Sequence, residues 1–138
     1  ICISSILLPP VLCTCFLLIV SILSREQIKE YLEICDELGI SALVECHDES
    51  EISLAISEGA RVIGVNNRNL KNFSVDIGLG RKLRDMVPKD IVFVSESGIK
   101  TPADIEALRE IGTDAVLVGE TLMRASDKKE ALRMLKGA

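Results

Sequence analysis

The chain has 138 residues, a formal net charge of −5 and a pI near 4.9. That length holds one domain with a core, and the acidic balance argues against a general nucleic-acid binder, which carries a basic excess. Aromatic residues make up 3% with no Trp, so a base-stacking platform has little to be built from. The five cysteines are odd in number and form no CxxC pair, and a single His is available to join them. A disulfide framework or a zinc site is therefore not expected; buried or incidental thiols in a reducing, cytoplasmic setting are. A small anionic substrate is compatible with the charge, because local donors can bind it whatever the net balance.

Residues 1–24 contain no charged side chain. The run is long enough for a membrane span, but Pro9-Pro10 interrupts it and no basic residue precedes it, which disfavours both a span and a signal peptide. Residues 1–15 are set apart as an apolar segment, and the domain is expected to cover 16–138. Beyond them, apolar strand-like runs fall at 16–22, 42–45, 62–65, 91–95 and 115–118. Amphipathic helices are expected between and after them, near 25–38, 49–58, 77–86, 102–111 and 128–135. Ser24 with Gln27, Asp48 with Glu51, and Thr101 before Pro102 read as helix starts. Gly39, Gly59 and Gly112 read as helix ends. Strand and helix in alternation, with continuous apolar strands, predict a parallel sheet covered by helices. Periodicity leaves an open sheet and a barrel segment equally available.

In parallel α/β folds the site forms at the C-terminal strand edge, so the polar residues there matter most. The second run ends in Glu45, a carboxylate that is costly to bury after three apolar residues without a partner or a function. It suits general acid–base work or an ion pair across the rim. His47 reads as a loop residue or a helix-entry partner rather than a catalyst, and Cys46 as pointing away from Glu45. The third run ends in Asn66-Asn67-Arg68-Asn69, donors suited to a hydroxyl and a carboxylate, or a capped turn. The last two runs end in Glu96-Ser97-Gly98 and Gly119-Glu120. Glycine in both lets backbone approach a ligand, as in the phosphate sites of barrel loops seven and eight.

Val44-Glu45, Ile63-Gly-Val-Asn-Asn-Arg-Asn-Leu70, Val94-Ser-Glu-Ser-Gly-Ile99 and Val116-Leu-Val-Gly-Glu120 follow in order and spacing. Together they resemble the indole-3-glycerol-phosphate synthase family from about Phe16 to Leu135. The resemblance implies strands four to eight of a (β/α)8 TIM barrel. It also implies a carboxy-lyase that closes the indole ring of a carboxyphenylamino-deoxyribulose 5-phosphate in tryptophan biosynthesis, with no metal or organic cofactor. Glu45 resembles the catalytic carboxylate and Asn66 a residue on the substrate's polar chain. Arg68 resembles the cation near the anthranilate end. Glu96 and Ser97 resemble active-site residues, while Ser97, Gly98, Gly119 and Glu120 resemble the phosphate cradle, with the Glu120 backbone N–H as the binding group.

A closed barrel takes roughly 200 to 250 residues, and the chain begins at Ile1 rather than Met, so a fragment is expected. The family's general-acid Lys on its third strand has no counterpart; if Pro10-Val11-Leu12 matches that strand, Thr14 stands in its place. The chain alone is therefore expected to be inactive. Its expected partners are a small phosphorylated substrate and, along open sheet edges, a missing N-terminal half-barrel or a second copy. The alternative is a non-catalytic phosphate-binding half-barrel that self-associates.

Overall fold

The computed structural model describes residues 15–68 and 78–137. The apolar segment up to Thr14, the Asn69-Leu70 end of the second motif and the helix start at Ile77 lie outside the described residues. Five strands, β1 (Cys15–Ile19), β2 (Ser41–Cys46), β3 (Val62–Asn66), β4 (Val92–Glu96) and β5 (Ala115–Leu117), form one sheet in the order β1-β2-β3-β4-β5. Every neighbouring pair is parallel. The order runs straight through without the reversal that marks a doubly wound open sheet. This is the order of consecutive βα units around a barrel, and the fold is a partial (β/α)8 barrel.

Six helices are described: α1 (Arg25–Glu37), α2 (Glu49–Ser57), α3 (Gly78–Arg84), α4 (Pro102–Glu110), α5 (Glu120–Arg124) and α6 (Lys128–Lys136). Strand side chains alternate between two faces. Leu18, Val44, Cys46, Ile63, Val65 and Phe93 pack with Ile28 and Cys35 of α1, Ile52 and Ala55 of α2, and Leu83 of α3. Farther along, Val116 and Val118 pack with Leu108 of α4 and Leu135 of α6. The helices thus cover one face. The opposite set, Leu43, Glu45, Gly64, Asn66, Val94 and Glu96, lines the face that a closed barrel turns inward.

Helix starts follow the expected chemistry with one change. Ser24 accepts from Gln27 N at 3.3 Å while its own N donates to Gln27 Oε1 at 2.9 Å, a complete capping box. Thr101 and Asp104 form another, with Pro102 at the first position. Asp48 accepts from Ser50 N and Glu51 N, both at 2.9 Å, but Glu51 reaches past it to accept from His47 N at 2.7 Å. The first apolar run is not one strand to Ile22. It stops at Ile19 and tightens into a 3₁₀ turn at Val20–Ile22. That turn buries Val20 and delivers Ser24 to its cap. The short helix α5 is too brief to show a period.

Phe93 is fully buried in β4, with the Arg84 guanidinium 5.3 Å from its ring centroid. Arg84 also donates to Val87 O at 2.7 Å and Gly112 O at 2.9 Å, fastening the end of α3. Phe93→Ala is expected to lower unfolding free energy by about 3–5 kcal/mol, read as a fall in urea midpoint; a loss below about 1 kcal/mol would remove Phe93 from the core.

Candidate active site

The polar residues singled out in the sequence gather at the C-terminal ends of β2, β3, β4 and β5. Glu45 is 5% exposed. Its Oε1 accepts from Asn66 Nδ2 at 3.0 Å, across the β2–β3 pair. His47, on the same face two residues on, places Nε2 3.2 Å from the same oxygen, within ion-pair range but without hydrogen-bond alignment. Its Nδ1 lies 3.1 Å from Glu51 Oε2. His47 is therefore the helix-entry partner the sequence suggests, and it also touches the carboxylate. Cys46 turns to the helix side as expected, and burial raises its thiol pKa far above the ordinary value, leaving it inert.

Glu96 is 3% exposed, with Oε1 buried and lacking a hydrogen-bond partner. Its carboxylate occupies the space that a Cβ on Gly64 would take, so a larger residue at that point of β3 would require the Glu96 carboxylate to move. Burial pushes the Glu96 carboxyl up to about 8, and the neighbouring Glu45 carboxylate adds to the rise. Near neutral pH Glu96 is chiefly a protonated acid, able to donate where Glu45 accepts.

Asn66 Oδ1 accepts from Arg68 N at 3.0 Å, shaping the turn after β3. The Arg68 guanidinium donates to Glu120 Oε2 at 2.6 Å, and Arg124 Nε lies 3.0 Å from Glu120 Oε1. The hydrogen bond from Arg68, and then the Arg124 and Arg68 charges, hold the Glu120 carboxyl below the ordinary range. This carboxylate is thus directed at two guanidinium groups, a pairing across 52 positions that sequence reading does not supply.

Ser97 has φ +65° and Gly98 φ +79°, two left-handed residues in succession. Gly119 caps α5, and the space where its Cβ would stand is open. Thr121 Oγ1 donates to Ile99 O at 2.5 Å, tying α5 to the loop after β4. Glu45, Asn66 and Glu96 form one cluster, Arg68 and Glu120 a second, and Ser97-Gly98 and Gly119 mark the two glycine-bearing turns. Asn67, treated in the sequence as part of a motif run, proves to be buried and bonded to the Ser97 turn.

A family model described as indole-3-glycerol phosphate synthase matches residues 11–135. The indole-3-glycerol phosphate synthase of Ruminiclostridium cellulolyticum is 56% identical over 124 residues, covering 90% of this chain and 48% of its own length. That of Lachnoclostridium phytofermentans is 57% identical over 122 residues, covering 88% and 45%. The chain spans about half the length of the curated relatives it matches. Among solved structures, thiamine phosphate pyrophosphorylase from Pyrococcus furiosus aligns with a TM-score of 0.70 at 20% identity, covering 88% of this chain and 56% of that one. At that identity the likeness speaks for the fold alone.

The Glu96 shift carries a stability consequence. In the unfolded chain the carboxyl titrates near 4.5 and in the fold near about 8. Between those values the folded state binds the proton more tightly, so this contribution is full below the lower value and is lost as pH rises through the upper one. Urea unfolding from about pH 5 to pH 8.5 should show a falling midpoint, and Glu96→Gln should flatten that fall. An unchanged slope in the variant would place the titration elsewhere.

Proposed function

Because the chain belongs to the indole-3-glycerol phosphate synthase family, we propose that it is the substrate-holding half of a decarboxylating lyase. The reaction joins the aromatic ring of a carboxyphenylamino-deoxyribulose 5-phosphate to its ribulose carbonyl, expels CO2 and loses water to give the indole. The observation that carries this reading is the pair of buried carboxylates, Glu45 and Glu96, with the half-buried Asn66 bonded to the first, at the strand edge.

Ring closure and dehydration both move protons beside a carbonyl or hydroxyl, and a carboxylate with a protonated neighbour can accept and return them. Glu45 takes the base role, oriented by Asn66 Nδ2 at 3.0 Å. Asn66 and Glu96 present donors to the substrate's hydroxyl chain. Arg68 offers a guanidinium to the anthranilate carboxylate by exchanging its bond to Glu120. Ser97, Gly98, Gly119 and the Glu120 N–H hold the phosphate through backbone groups, with the Glu120 side chain kept aside by Arg124 once Arg68 has turned to the substrate.

The carbonyl also needs an acid. Lys29 sits on α1 and faces Glu33 at 4.0 Å, on an exposed helix surface. The acid is therefore assigned to the counterpart segment that the longer relatives carry. The five strands among the described residues leave three for an eight-stranded barrel. A counterpart with three βα units meets that number, whereas a second copy brings ten strands in all.

Single-turnover formation of indole-glycerol phosphate, followed by fluorescence, tests this. The chain alone is expected to give no product, and the chain mixed with a relative's first three βα units is expected to give it. Glu45→Gln in that mixture should lower the rate about 10²- to 10⁴-fold. Product from the chain alone, or full activity of the variant, would overturn the assignment.

A further inference from the structure

We infer that Asn67 is a positioning residue whose buried amide holds Ser97 in the left-handed turn from which the loop after β4 presents its backbone to the phosphate. The inference rests on the phosphate role proposed for Ser97-Gly98 and adds to it the residue that sets the loop's shape.

Asn67 follows β3 on the helix-facing side, in phase with Ile63 and Val65, and is 1% exposed. An amide in that apolar layer is costly unless bonded. Its bonds to described residues go to three consecutive residues at the end of β4. The backbone N donates to Glu96 O at 2.9 Å, Nδ2 to Ser95 Oγ at 2.9 Å, and Nδ2 to Ser97 O at 3.2 Å. Among the described residues Ser97 is the one non-glycine with positive φ. A residue with a Cβ is disfavoured there and persists where its surroundings hold it. The Ser97 carbonyl bonded by Asn67 belongs to the peptide that carries the Gly98 N–H. The clamp thus fixes the direction of a group proposed to face phosphate.

Two further features set Asn67 apart from ordinary packing. Its Oδ1 is buried without a hydrogen-bond partner, a cost that an apolar residue of similar size would avoid. Gly80 of α3 closes over it, and a Cβ there would stand 3.4 Å from that oxygen. The helix is thus fitted to the amide while the amide is fitted to the turn. A residue serving the core alone would need neither.

The test uses the full chain, inorganic phosphate as probe and backbone NMR as readout. Asn67→Ser shortens the side chain without adding charge; Asn67→Asp keeps its size and removes the donor. Each is expected to move the Ser97 carbon shifts out of the left-handed range and to weaken phosphate-induced shifts at Gly98 about tenfold. In a Ser97→Gly background, where positive φ needs no clamp, the same substitutions should weaken binding less than about threefold. Equal losses in both backgrounds, or a Ser97 that stays left-handed without the amide, would overturn the inference. Should the unaltered chain show no phosphate-induced shift at these residues, the phosphate reading fails by itself, and the Ser97 carbon shifts still decide what Asn67 does.

Discussion

Two carboxylates share one buried patch of this sheet, and much of the local structure follows from accommodating them. Glu45 leaves β2 and Glu96 leaves β4, with β3 between them. The register sets Asn66 opposite Glu96 and Gly64 opposite Val94, so the side chain of Glu96 folds back over the glycine. Any side chain at Gly64 would fill that space. The middle strand therefore supplies an empty position where the second carboxylate lies and an amide that bonds the first. Two charges this close in a poorly solvated place cannot both persist at neutral pH. Burial first, and the Glu45 charge second, hold the proton on Glu96, so that a protonated carboxyl lies beside a carboxylate.

The opposite face of the same strand ends solves a different problem. Ser95 and Asn67 point to the helices, where the layer is otherwise apolar. Their mutual bond at 2.9 Å joins the ends of β3 and β4 just where both chains leave the sheet. Below the sheet edge the carboxylates define chemistry; behind it the amide and hydroxyl define where the loops go. Alternation of side chains along a strand lets one short segment, Ser95-Glu96-Ser97, serve both purposes.

The strands, the caps and the site's strand-end carboxylates were legible because each leaves a local trace. An apolar run gives a strand, Ser24 with Gln27 gives a helix start, and Glu45 after Ala42-Leu43-Val44 is conspicuous because burial there needs a reason. The sequential sheet order was not legible in the apolar runs, which carry no information on which strand lies next to which; it came only with the resemblance to a barrel family. Nor was the bond between Arg68 and Glu120, which exists only once β3 and β5 flank β4. The turn at Val20–Ile22 was hidden inside an apolar run that reads equally well as strand. Asn67 was hidden by its neighbours: four polar residues in a row look like one exposed loop, and only the fold separates the inward Asn66 from the outward Asn67.

Burial across the sheet is uneven in a way that bears on how the site is made. Residues of β2, β3 and β4 include many that are fully enclosed, whereas all three residues of β5 are only partly buried and Phe16 of β1 is 51% exposed. Glu45, Asn66 and Glu96 sit on the three strands that have a paired neighbour on each side. Their geometry is thus fixed by contacts internal to this chain. The Arg68–Glu120 pair belongs to the looser margin beside β5, with both side chains substantially exposed. An exposed ion pair is worth little to stability and rearranges at small cost. On the proposed reading, the described strands thus preform the part of the site assigned to proton transfer and leave adjustable the part assigned to the substrate's charged ring.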